Sequence, residues 1–165
     1  SERYPNVAIS HFGLAECLKH QGRVVEAEAS FNIAKQMFIA ETKDGGDKWW
    51  GHHWLGRFYE EHEDFELAET HFQVALRLAS PASHLDNSSL GRVLVKRGQL
   101  DKAEHLLRKN SDYYSKHWLG KCLLARGMTN EAERLFAEVT EKDPFVLEYT
   151  GPTRGFFQEM RPNIT

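Results

Sequence analysis

The stretch HHWLGRFYEEHEDFELAETHF, residues His52–Phe72, decides the fold, because its apolar and small residues fall at helical spacing on both sides of a break near His62–Asp64. It reads as two helices packed against each other. Its head returns later in the chain: His53-Trp54-Leu55-Gly56-Arg57 reappears as His117-Trp118-Leu119-Gly120-Lys121. A duplicated helical hairpin is the architecture this pattern predicts.

Working outward from Gly56, a small residue followed twelve positions later by alanine occurs four times: Ala15 and Ala27, Gly56 and Ala68, Gly91 and Ala103, Gly120 and Ala132. Four residues beyond each alanine stands a large apolar side chain, Phe31, Phe72, Leu107 or Phe136, on the same helical face one turn on. Seven residues after the small residue comes Gly22, Gly98 or Gly127, where the first helix is expected to end in a left-handed cap. The second repeat has Glu63 there, at a conformational cost if that position is left-handed. The small residues are expected to face the alanines where two helix backbones approach, with the large apolar residues filling the remaining space.

This pattern resembles the tetratricopeptide repeat, whose signature runs W-x2-L-G-x2-Y, A-x3-F and a closing proline over about 34 residues. Leu55-Gly56-x2-Tyr59 with Ala68-x3-Phe72 matches it most fully, and the fourth repeat closes on Asp143-Pro144. The signature tryptophan is replaced by His11, His52, Asn87 and Lys116. The expected fold is an all-α solenoid of about four antiparallel hairpins, near residues 8–41, 48–81, 82–111 and 112–144, within a repeat domain over 1–144. Residues 145–165 lose the pattern and are expected to be a cap, docked tail or linker.

Between hairpins the spacing is uneven. The second helix is expected to run to about Ala40, before the polar Gly45-Gly46 loop, and Ser80-Pro81 reads as the start of the third hairpin. The helix beginning near Leu100 is expected to stop by about Asn110, with Ser111 or Asp112 capping the next one.

Composition narrows the function. The 165 residues are 41% hydrophobic and 27% charged, with a net charge of -3, so bulk charge offers nothing to a polyanion. No apolar run reaches the length of a membrane span, and Cys17 and Cys122 form neither a disulfide framework nor a C-x-x-C zinc motif. An intracellular, cytoplasmic setting is expected, and with no initiator methionine the sequence is expected to be an excised piece. Nine histidines invite a metal reading, but adjacent His52 and His53 point about 100° apart on a helix and no H-E-x-x-H spacing occurs. No phosphate loop or nucleophile motif is present either. The expectation is therefore no enzyme, no metal site and no cofactor.

The resemblance implies that the first helix of each hairpin lines a concave groove that holds a partner segment. Residues following the small residue fall on that face: Glu16, Arg57, Arg92 and Lys121, with His53, Ser88 and His117 one turn earlier, Lys96 one turn later, and Trp50, Leu85 and Tyr114 at the helix starts. The candidate binding surface is thus Trp50, His53, Arg57, Ser88, Arg92, Lys96, Tyr114, His117 and Lys121, and its expected partner is a protein segment with acidic residues and apolar anchors. The lysine and asparagine clamp of chaperone-docking family members is not reproduced at Phe12 and Glu16, or at His53 and Arg57. RNA binding by the same stripe, and a purely structural role in a longer solenoid or oligomer, are the alternatives. On this reading Arg92→Glu weakens partner binding without unfolding the domain.

Overall fold

The structure, a computed structural model, describes residues 4–43, 48–79 and 87–142. Its described helices are α1 (Tyr4–His20), α2 (Val24–Lys43), α3 (Trp49–Glu61), α4 (Phe65–Leu78), α5 (Ser88–Lys96), α6 (Leu100–Leu107), α7 (Tyr113–Ala125) and α8 (Thr129–Lys142). They pack in sequence as antiparallel pairs α1–α2, α3–α4, α5–α6 and α7–α8, and each pair stacks on the next. This is an all-α solenoid, built from helices that cannot bury an apolar face except against a neighbouring hairpin.

All four turns within the hairpins close in the same way. Gly22, Glu63, Gly98 and Gly127 have φ of 75°, 60°, 72° and 79°. In each turn the next residue's N–H reaches back five positions, as in Asp64 to the Tyr59 carbonyl at 2.9 Å, and the left-handed residue bonds three positions back, as in Glu63 to the Glu60 carbonyl at 3.0 Å. Paired bonds of this kind satisfy carbonyls that a helix end would leave open. Glu63 holds the left-handed conformation without glycine's freedom, and Asp64 then caps α4 by accepting the Leu67 N–H at 3.1 Å.

The close approach inside each hairpin differs from the expected small-residue-to-alanine contact. A Cβ built on Gly56 meets the Phe72 ring at 2.9 Å, one on Gly91 meets Leu107 Cδ2 at 2.4 Å and Cγ at 2.5 Å, and one on Gly120 meets the Phe136 ring at 2.8 Å. The large apolar residue itself lies across the small one, and the buried alanines complete the packing beside it. One core joins Phe12, Phe31, Ala34, Phe38, Leu55 and Phe58 across the first three helices, and a second joins Phe72, Val93, Leu107, Leu119 and Leu123 through the rest. Tyr59 borders both.

Trp54 stacks on Phe38 at 5.7 Å and meets Phe12 edge-on at 5.3 Å, so it fastens the second hairpin to the first. α2 continues to Lys43, one turn past the expected end, because that turn has partners on α3. The Thr42 methyl and the Phe38 carbonyl lie where Gly51 has only hydrogen, and Glu41 pairs with Lys48 at 2.7 Å. Of the two candidates, Asp112 is the cap of α7, accepting the Ser115 N–H at 2.9 Å and its hydroxyl at 2.6 Å. α6 ends at Leu107, inside the expected limit. Ser80-Pro81, Leu85 and the segment 145–165 lie outside the described residues.

Two substitutions separate the cost of crowding from the gain in helix propensity. Gly→Ala inside a helix gains up to about 1 kcal/mol, whereas overpacking costs about 1–3 kcal/mol. Leu107 is fully buried and meets the new methyl near its branch point, while Phe136 is half-buried and offers only the far edge of its ring. Urea denaturation is expected to show Gly91→Ala clearly destabilised and Gly120→Ala near neutral, and equal effects would contradict the packing described.

Candidate functional site

The face formed by α1, α3, α5 and α7 carries the residues that the sequence assigns to a groove. Their charges are mostly paired with one another, from hairpin to hairpin. Arg57 donates to Glu16 at 3.1 Å, and its guanidinium lies 4.5 Å from the Trp54 ring centre and 5.0 Å from that of Phe12. One hairpin on, Arg92 donates through Nε to Glu60 at 2.6 Å and through a second nitrogen to the other carboxylate oxygen. Lys96 adds a third contact to Glu60 at 2.8 Å, and Lys19 pairs with Glu61 at 3.1 Å. The ladder follows from repeat register. Arg57 and Arg92 both directly follow the small residue of their hairpins, and the preceding hairpin presents Glu16, directly after its own small residue, to the first and Glu60, one turn further on, to the second.

Burial makes these pairs structural. Arg57 and Arg92 are 8% and 3% exposed, and Glu16 and Glu60 are 5% and 3% exposed. For Glu60, burial pushes the pKa up but Arg92 and Lys96 outweigh it, so the carboxyl lies below its ordinary range. For Glu16, desolvation, with the charge of Glu61 added to it, outweighs the pull of Arg57 and lifts the pKa to about 7. The sequence reading of Arg57 and Arg92 as exposed basic groups is corrected: both are withdrawn from solvent and matched with glutamates. The expectation for Arg92→Glu changes with it, since a second carboxylate against Glu60 breaks the fold before it reports on a partner.

The other candidates divide. Trp50 packs partly on the first core, with Lys48 5.7 Å from its ring centre. His53 is half-buried between Trp49, Trp54 and Phe72, with ring centres at 6.5, 5.9 and 5.5 Å. Ser88 is buried at the start of α5, and His117 is buried against Trp118 and Phe136. Tyr114 lies on the second core, its ring centre 5.4 Å from the Arg92 guanidinium.

Lys96 and Lys121 remain at the surface of this face, and both ammonium groups lie over Trp118, at 5.8 and 4.4 Å from its ring centre. Lys121 is the register equivalent of Arg57 and Arg92. The positions that supply Glu16 to the one and Glu60 to the other are Arg92 and Val95 in the hairpin before it. Among the described residues it has no carboxylate partner. Desolvation, and then the charge of Lys96, lower its pKa.

A cleft of about 460 Å³ lies beside this ladder, lined by Lys19, Glu60, Glu61, Glu63, Phe65 and Lys96. Glu60 is the residue the sequence reading passed over. Its signal is the charge complement at nearly the repeat distance, with Glu16 ahead of Arg57 and Glu60 ahead of Arg92. His52 and His71 meet through their Nδ1 atoms at 3.0 Å, and Tyr59 stacks on His71. Among the described residues no three His, Cys, Asp or Glu side chains converge as metal ligands, and no described helix is long and apolar enough to cross a membrane.

With one member of a buried pair removed, the other is left without its counter-charge. Arg92→Met is expected to cost roughly 3–5 kcal/mol, toward the lower end because Lys96 still faces Glu60. The double variant Glu60→Leu, Arg92→Met is expected to recover much of that loss in chemical denaturation. A mild effect of the single variant would deny the pair its structural role.

His53 supplies a pH dependence. Burial, then the charges of Arg57 and Arg92, lower its pKa from 6.5 to about 3. Below pH 6.5 the unfolded chain takes up a proton that the folded chain refuses, so stability is lost as pH falls from about 6.5 toward 3. His53→Phe, with a ring suited to the aromatic neighbours, is expected to move acid unfolding to lower pH by circular dichroism. An unmoved midpoint assigns the acid sensitivity to other groups.

Comparison with known proteins matches three stretches of the chain to tetratricopeptide repeat models, over residues 1–42, 88–109 and 114–145. A comparison with curated protein sequences returns no match. Among solved structures the chain is similar to YrrB, described as a TPR protein with an unusual peptide-binding site, at 27% sequence identity and a TM-score of 0.49 over 93% of this chain and 79% of that one.

Proposed function

The chain belongs to the tetratricopeptide repeat family, and on that premise we propose that this interaction scaffold holds an acidic segment of a partner protein across the first-helix face. The family is typically a non-enzymatic repeat fold that works by binding other proteins. The observation that carries the reading is Lys121, a half-buried cation at the ladder position where Arg57 and Arg92 have glutamates and it has none among the described residues. A partner carboxylate completes the series there. Trp118, Phe65 and the stem of Lys96 supply the apolar surroundings.

On this reading the nine sequence candidates serve in two ways. Lys96, Lys121 and the accessible parts of Trp50 and Tyr114 meet the partner, while Arg57, Arg92, His53, Ser88 and His117 hold the helices that present them. Support for a protein rather than a nucleic acid comes from the pairing itself. Lys19, Arg57 and Arg92 are each held by a glutamate, which confines the free charge to the α5–α7 end and leaves little for counterion release along a polyanion. An intracellular setting suits the unpaired Cys17 and Cys122.

The test is affinity capture from native lysate, followed by calorimetry with a synthetic segment of the retained protein. Lys121→Glu is expected to weaken binding at least about tenfold, or roughly 1.4 kcal/mol, with an unchanged thermal midpoint. Unchanged affinity sinks the assignment.

A further inference from the structure

The charges around Lys121 do more than favour an acidic group; they set its valence. The ladder joins the carboxylates Glu16, Glu60 and Glu61 to the cations Lys19, Arg57, Arg92, Lys96 and Lys121. Among the described residues Glu60 alone answers both Arg92 and Lys96, and Lys121 follows with no carboxylate, so the surplus of two positive charges collects at the α5–α7 end. Both surplus ammonium groups approach one ring, Trp118, and stand no further apart than the sum of their 5.8 and 4.4 Å distances from its centre. Their flexible four-carbon stems allow them to close on one ligand. A single carboxylate leaves one charge of this pair unanswered. A phosphate monoester carries about -1.5 to -2 at neutral pH and has three acceptor oxygens, enough to engage both ammonium groups at once.

We propose that the α5–α7 end of this face, formed by Lys96, Lys121 and Trp118, is a receptor for a phosphorylated side chain of the partner segment. The inference rests on the groove reading and sharpens it: binding is switched on by phosphorylation of the partner. Glu60 keeps its bidentate Arg92 contact while Lys96 turns to the phosphate, so the switch leaves the buried pair intact. A diester carries one negative charge and matches the pair no better than a carboxylate does, which distinguishes a phosphoprotein from a nucleic-acid backbone.

The test uses nuclear magnetic resonance on the ¹⁵N-labelled protein, following the Trp118 indole N–H and the α7 amides at fixed ionic strength. Three probes are titrated: N-acetyl-O-phosphoserine amide, N-acetylglutamate amide and dimethyl phosphate. The phosphoserine probe is expected to bind about tenfold or more tighter than the other two, and Lys96→Gln and Lys121→Gln are each expected to cost about tenfold or more of that affinity. Lys121→Gln removes a half-buried cation that lies beside a like charge, so the variant keeps the fold, and its thermal midpoint verifies this. Equal affinity for phosphoserine and glutamate probes, an equally tight diester, or phosphoserine binding untouched by either lysine variant each overturns the proposal. No response to any probe, with partner capture still lost in Lys121→Glu, overturns the phosphate receptor and leaves the groove standing. A phosphoserine response with partner capture unaffected by Lys121→Glu overturns the groove reading and the switch with it.

Discussion

The structure depends on one steric condition, that a first helix offers hydrogen where the second helix of its hairpin lays a large side chain. Phe72 across Gly56, Leu107 across Gly91 and Phe136 across Gly120 stand so close that each would have to shift to admit a methyl, Leu107 most of all. This contact fixes the depth at which each helix pair docks, and therefore the height at which the next residue on the first helix stands. Arg57, Arg92 and Lys121 directly follow those glycines, so the packing constraint also places the charges. In the first hairpin Ala15 takes the small position beside Phe31, both fully buried, and Glu16 follows it.

Once placed there, the charges have little freedom. A guanidinium almost withdrawn from water requires a carboxylate, and the first helix of the preceding hairpin provides one, Glu16 for Arg57 and Glu60 for Arg92. Such a pair adds little net stability beyond what an apolar pair of similar volume would give, but it penalises any register in which the partners miss each other. Repeated along the stack, that penalty holds the hairpins in sequence, and the aromatic contacts of Trp54 with Phe38 and Phe12 supply the non-directional part of the same joint. Position-specific pairing and general apolar burial thus divide the work of stacking between them.

Much of the fold was legible because it rests on short-range rules. The small residue, the alanine twelve later and the aromatic four beyond that follow from helical period alone, and the left-handed turns follow from Gly22, Gly98 and Gly127. Glu63 took its place by register, not by preference. The partners of Arg57 and Arg92 were harder to read. A residue's place on a helix face tells which way it points, but whether it meets solvent or Glu60 depends on what the previous hairpin brings to that turn, 32 residues away in the chain. Exposure was inferred from face, and face is not sufficient in a stacked array. The same limit applied to the glycines: that they were close-contact positions was readable, but that the large side chain of Phe72, Leu107 or Phe136 lies nearest to them required the crossing of the two helices.

The end of the ladder is where structure and recognition separate. Glu16 and Glu60 show what this architecture demands of a cation in that position, since each is held nearly dry against its arginine. Lys121 meets the same demand in part: it is half-buried, its ammonium lies over Trp118, and the charge of Lys96 weighs against its own. A lysine suits this role better than an arginine, because its compact ammonium stands on a flexible four-carbon stem and can turn to an anion when one arrives. The features that would make Lys121 a poor structural residue are therefore those that make it a responsive one, and they arise because the hairpin before it ends its ladder positions in Arg92 and Val95 instead of a glutamate.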